Sequence, residues 1–159
     1  MRRLFLASLT IYLAAAQSQA PDPAPRTGAW MKRHEQNVER IAQGGVDLLM
    51  IGDSITQNYE KANPPNEDFK PTWDRFYAPR HAVNLGISGD TTANVLWRLQ
   101  HGEIDGVHPK AAVILIGTND TGHGATAEPT EAGIDAIIRL VHEKCPTTKI
   151  LLLAILPSR

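Results

Sequence analysis

Ser54 stands in Gly52-Asp53-Ser54-Ile55-Thr56, directly after the apolar run Val46 to Ile51. A buried strand that feeds such a turn holds a hydroxyl at the carboxyl end of a sheet, where open α/β folds keep their ligands. From there a serine can attack an ester carbonyl, provided a base takes its proton. The turn has the form of a nucleophile elbow, except that Thr56 stands where glycine is expected two residues after the serine. These five residues support a second reading equally well, since Asp53 and Ser54 are both favoured helix N-caps. Asp53, Asp90 and Asp120 fall beyond successive apolar runs, and carboxylates so placed could hold magnesium. No histidine-rich ligand spacing accompanies them, and a metal site would leave Ser54 unused. Neither a metal nor a cofactor is expected.

The elements that must position these residues follow from periodicity. Trp30 to Gln43 is mainly polar with Met31, Val38 and Ile41 on one helical face, and Gly44-Gly45 ends it. Asp47 to Ile51 reads as the first strand, apolar on both faces as in a helix-covered parallel sheet. Asn63-Pro64-Pro65-Asn66 breaks any helix, and Thr72 to Tyr77 reads as a short amphipathic turn. Ala82 to Leu85 is a second strand followed by Gly86-Ile87-Ser88-Gly89-Asp90. Thr91 or Thr92 can cap a helix running through His101, with Val95, Leu96 and Leu99 inward and Trp97 beside them. Ala111 to Ile116 is a third strand, followed by Gly117-Thr118-Asn119-Asp120 and a polar loop to Ala127. Pro129 and Cys145-Pro146 bound a helix with Ile134, Ile137, Ile138 and Val141 on one face, and Lys149 to Leu156 is a fourth strand. Alternating strand and helix predict an α/β fold with a parallel sheet. Three polar turns after three successive strands must then lie at one edge of that sheet.

The whole chain narrows the function classes. Its 159 residues make one domain with room for a core, and 16 basic against 17 acidic residues give no patch for nucleic acid. Cys145 is the only cysteine, which excludes an internal disulfide and a thiolate zinc cluster. Arg2-Arg3, the apolar Leu4 to Ala16 and the small residues of Ser18-Gln19-Ala20 predict a signal peptide over residues 1–20, partly of twin-arginine form. The apolar run is short for a membrane span. Pro21, Pro23 and Pro25 predict a stiff linker over 21–29, leaving 30–159 as the folded domain of an exported protein with no stable membrane span after cleavage.

Together the blocks Gly52 to Thr56, Gly86 to Thr92, Val95-Leu96-Trp97-Arg98-Leu99 and Gly117 to Asp120 resemble the SGNH (GDSL-type) hydrolases. The likeness is to the catalytic subunits of intracellular platelet-activating-factor acetylhydrolase and their bacterial secreted relatives, over roughly Trp30 to Pro157. It implies a three-layer α/β/α fold with a flavodoxin-like parallel sheet, in which strands one and three are neighbours. It makes Ser54 the nucleophile, and makes the Ser54 and Gly86 N–H groups and the Asn119 amide the oxyanion donors. Asp53, Asp90 and Asp120 become supporting residues. Glycine lets backbone approach a substrate closely, and an amide donates without a charge that titrates. The implied reaction is hydrolysis of a short acyl ester, acetyl above all, on a carbohydrate or lipid alcohol through an acyl-enzyme. A lysophospholipase, a thioesterase and a non-catalytic exported binding domain are the alternatives.

The family's Asp-x-x-His block, which supplies the base and its orienting carboxylate, has no counterpart after the fourth strand. Asp105-Gly106-Val107-His108 has the spacing but precedes the third strand, at the wrong edge of the sheet. His123 lies in a loop at the correct edge, where the family has no catalytic histidine, and a solvated side chain is the expectation. His34, His81, His101 and His142 fall on helices or at a strand start and are assigned no chemistry. The catalytic Asp and His are therefore expected outside residues 1–159, the short chain is expected to be inactive alone, and one sheet face is expected to lie open.

Overall fold

A computed structural model describes residues 19–155. The expected signal peptide lies almost wholly outside the described residues, as do Leu156 to Arg159. Helix α1 (Ala29–Ala42) precedes strand β1 (Leu48–Gly52), and helix α2 (Ser54–Gln57) begins at Ser54 itself. A 3-10 turn at Asn58–Glu60, a two-residue antiparallel ladder joining Ala62–Asn63 to Glu67–Asp68, and helix α3 (Lys70–Phe76) fill the irregular stretch. Then come β2 (Ala82–Gly86), α4 (Thr92–Gln100), β3 (Ala111–Leu115), α5 (Thr118–Gly122), α6 (Ala127–Lys144) and β4 (Lys149–Leu152).

The sheet order is β2-β1-β3-β4, with every pairing parallel. Strands one and three are neighbours, as the flavodoxin-like expectation requires. Gly52 is in register with Gly86 on one side and Leu115 on the other, so three chain segments leave the sheet at one level. Leu49, Ile51, Val83, Leu85, Ala112 and Ile114 share one sheet face. They are buried in a core with Val95, Leu96 and Leu99 of α4, Ile137 and Val141 of α6, and Ile41 of α1. The apolar strands and the period-3.6 helix faces of the sequence thus meet in one core.

The opposite face is less covered. Met50, Val113, Leu115, Leu151 and Leu153 border a cavity of about 340 Å³ with Tyr59 and Tyr77, and Leu151 is 56% exposed. The reading of β1 as buried on both faces holds for Met50, but the sheet beyond it is half open. Two further details differ. The fourth strand covers Lys149–Leu152 and does not continue over residues 153–155, although Leu153 N–H still donates to Ile114 O at 2.9 Å. The segment before α1 lies against α4: Ala24 N–H donates to Ala93 O at 3.2 Å and Asn94 Nδ2 to Ala24 O at 2.8 Å.

Candidate active site

Asp53 caps α2: its Oδ1 accepts the Ile55 N–H at 2.9 Å, leaving Ser54 as the first helical residue. The two sequence readings of this stretch are therefore compatible, with the cap on Asp53 and the hydroxyl on Ser54. Ser54 is half-buried, and neither its N–H nor its Oγ bonds a protein partner among the described residues. Gly52 and Gly86 let α2 sit directly on the strand ends. A methyl group built on Gly86 would stand 2.8 Å from the Thr56 carbonyl carbon and 2.9 Å from Asp53 O.

That close packing corrects one expectation. The Gly86 N–H donates to Asn84 Oδ1 at 2.9 Å in a buried setting, so it is not free to meet an oxyanion. Asn84 also donates Nδ2 to Thr56 O at 2.9 Å, tying β2 to α2. Three residues on, Gly89 adopts φ +78°, and its N–H has no acceptor among the described residues. The sequence carried a signal for it, a second glycine before Asp90, because only glycine takes such a φ without strain.

Asn119 on α5 joins the three turns. Its Nδ2 donates to Asp90 O at 2.8 Å and lies 3.4 Å from Asp53 Oδ2. The amide therefore sits between the turn after β2 and the turn that carries Ser54. Asp120 accepts the Thr92 N–H at 3.1 Å and the Thr92 hydroxyl at 2.6 Å, which docks α5 on the start of α4. Asp90 Oδ1 accepts Trp30 Nε1 at 2.6 Å and Oδ2 accepts Arg98 Nε at 2.8 Å. Burial pushes the Asp53 carboxyl above its usual range, against the pull of the Ile55 N–H. Burial likewise raises Asp90, with Arg98 and Trp30 opposing. All three carboxylates are engaged by protein donors, and no three His, Cys, Asp or Glu side chains converge as metal ligands among the described residues.

Beside Ser54 a cleft of about 480 Å³ is lined by Gln57, Asn58, Glu60, Lys61 and Ser88. Ile55, Asn58, Tyr59 and Phe69 border a smaller apolar hollow of about 230 Å³. No histidine lines either. His108 instead borders a cavity at the amino-terminal edge of the sheet with Asp47 and His81, while Asp105 is held by Lys144 Nζ at 2.7 Å. His123 ends α5 as an exposed side chain.

A family model described as the GDSL-like Lipase/Acylhydrolase family matches residues 50–159. The chain belongs to the GDSL-like lipase/acylhydrolase family. Among curated proteins it is 36% identical over 143 residues to platelet-activating factor acetylhydrolase IB subunit alpha2 of Gallus gallus, covering 90% of this chain and 58% of that one. It is similar to a solved structure of a candidate platelet activating factor from Streptococcus pneumonia, at 29% identity and TM-score 0.62 over 80% of this chain and 55% of that one. The fold is shared with AlinE4, an SGNH-hydrolase family esterase, at 24% identity and TM-score 0.53 over 69% of this chain and 59% of that one. The chain thus spans less than two thirds of the length of the relatives it matches.

Proposed function

We propose that this GDSL-family chain carries the nucleophile and oxyanion donors of a serine ester hydrolase that removes a short acyl group, acetyl above all, through an acyl-enzyme on Ser54. The observation that carries the reading is the Asn119 amide, which bonds Asp90 O and lies 3.4 Å from the Asp53 carboxylate beside Ser54. Three strand-end turns converge there, and a helix N-terminus and a neutral amide are donors suited to charge that develops on a carbonyl oxygen. In this reading the Ser54 and Gly89 N–H groups act with Asn119, and Gly86 serves packing. The base that would take the Ser54 proton is not among the residues lining the cleft beside it.

The side chains bordering the cleft beside Ser54 are polar or charged, which fits an alcohol part with hydroxyls, such as a glycan. The Arg2-Arg3 and Leu4 to Ala16 pattern supports export, which would bring the enzyme to extracytoplasmic glycan esters. A series of p-nitrophenyl esters of rising chain length, assayed with the full-length protein, tests the acyl preference. kcat/KM is expected to be highest for acetate and to fall along the series. A maximum at long chains would contradict the acetyl reading and favour a lysophospholipase.

A further inference from the structure

Beneath the turns lies a set of buried polar side chains that the chemistry above does not use. Arg98, Asp90 and Glu103 are fully buried, and Trp30, His34 and Asn37 nearly so. Arg98 donates Nε to Asp90 Oδ2 at 2.8 Å, Nη1 to Glu103 Oε2, and Nη2 to Gly52 O at 3.4 Å. Asp90 Oδ1 is closed by Trp30 Nε1, and Glu103 Oε1 by His34 Nδ1 at 3.0 Å and Asn37 Nδ2 at 3.1 Å. Desolvating three charges is costly, and apolar side chains of like volume often stabilise a core as well or better. Stability alone is a poor reason for this cluster.

Its connections supply a better one. Gly52 O is the carbonyl that enters the Asp53-Ser54 turn, and Asp90 O is the carbonyl that accepts the Asn119 amide. One guanidinium therefore touches both halves of the site from below. We propose that Arg98 is a positioning residue, which sets the Asn119 amide through Asp90 and the Ser54 turn through Gly52. The role rests on the Ser54 reading. A planar fork fixes two partners at set angles, which an ammonium of equal charge does not. A displacement of about 1 Å at an oxyanion donor is enough to cost up to about a hundredfold in rate.

The test uses the full-length protein, with active sites counted by fluorophosphonate uptake so that misfolded molecules drop out. Arg98→Lys keeps the charge and loses the fork. Trp30→Phe keeps both ion pairs and removes one donor from Asp90. Per titrated site, Arg98→Lys is expected to lower kcat about tenfold or more with KM within about twofold, and Trp30→Phe about threefold. In an Asn119→Ala background, Arg98→Lys should cost less than it does alone, since part of its action passes through the amide. Unchanged kcat per site in both variants, with only a lower Tm, would make the cluster purely structural and overturn the proposal. An undiminished loss in the Asn119→Ala background would overturn the route through Asn119. Should Arg98→Lys fail to fold, the kcat of Trp30→Phe decides. A wild-type protein that takes up no probe would overturn the nucleophile and with it this role, whereas labelling with unaltered variant kinetics sinks the role of Arg98 alone.

Discussion

At the scale of single residues, the site separates groups that hold structure from groups left free to act. Asp53, Asp90 and Asp120 each give their oxygens to protein donors, and Gly86 gives its N–H to Asn84. Ser54 and the Gly89 N–H are left without protein partners among the described residues, and the Asn119 amide stands between their turns. In the proposed reading the Asn119 amide meets the oxyanion, and such a donor acts chiefly as charge develops. Asn119→Ala should therefore lower kcat about a hundredfold or more while KM changes little, measured by steady-state hydrolysis of p-nitrophenyl acetate. A raised KM with normal kcat would mark Asn119 as a substrate-positioning group instead. That Ser54 and Asn119 lie at one edge of the sheet was legible, because each follows an apolar strand in a polar turn; the roles assigned to them came from the resemblance. Which of Gly86 and Gly89 offers a free N–H was not legible, since that depends on where the Asn84 side chain turns back.

At the scale of elements, short helices on strand ends convert sheet register into site geometry. α2 and α5 each start within three residues of a strand, so their N-termini inherit the common level of Gly52 and Leu115. The longer helices were legible from their apolar stripes, with bounds shifted by a few residues at most. α5 was not, because Thr118 to Gly122 carries no hydrophobic period and reads as a loop. The ladder around Pro64-Pro65 is two residues long and equally silent in pattern. What holds α5 in place is Asp120, buried against the start of α4. Asp120→Ala should leave the Thr92 N–H without its acceptor and lower stability by about 1–3 kcal/mol in urea unfolding. Asp120→Asn, which keeps an acceptor oxygen, should cost less. Equal stability of both variants to wild type would show that α5 is held by other contacts.

At the scale of the molecule, strand order 2-1-3-4 brings residues 53, 90 and 119 together, the first and last of them 66 residues apart in sequence. The alternation of apolar strands and amphipathic helices made the fold class legible, and the resemblance gave β3 as a neighbour of β1. Arg98 and Asp90 stood in the blocks of the resemblance, but their burial and their links to Trp30, His34, Asn37 and Glu103 were not legible. The members of this cluster are scattered over α1, the turn after β2, α4 and the loop after α4, and no spacing in the sequence joins them. The sheet face at Leu151 and Leu153 stays open around Tyr59 and Tyr77, on the side away from the α4 and α6 core. One covalent bond decides whether Ser54 is the nucleophile. Incubating the full-length protein with a fluorophosphonate and mapping the labelled peptide by mass spectrometry should place one adduct on Ser54, with no labelling of Ser54→Ala. An adduct on another residue, or labelling that survives the substitution, would contradict it.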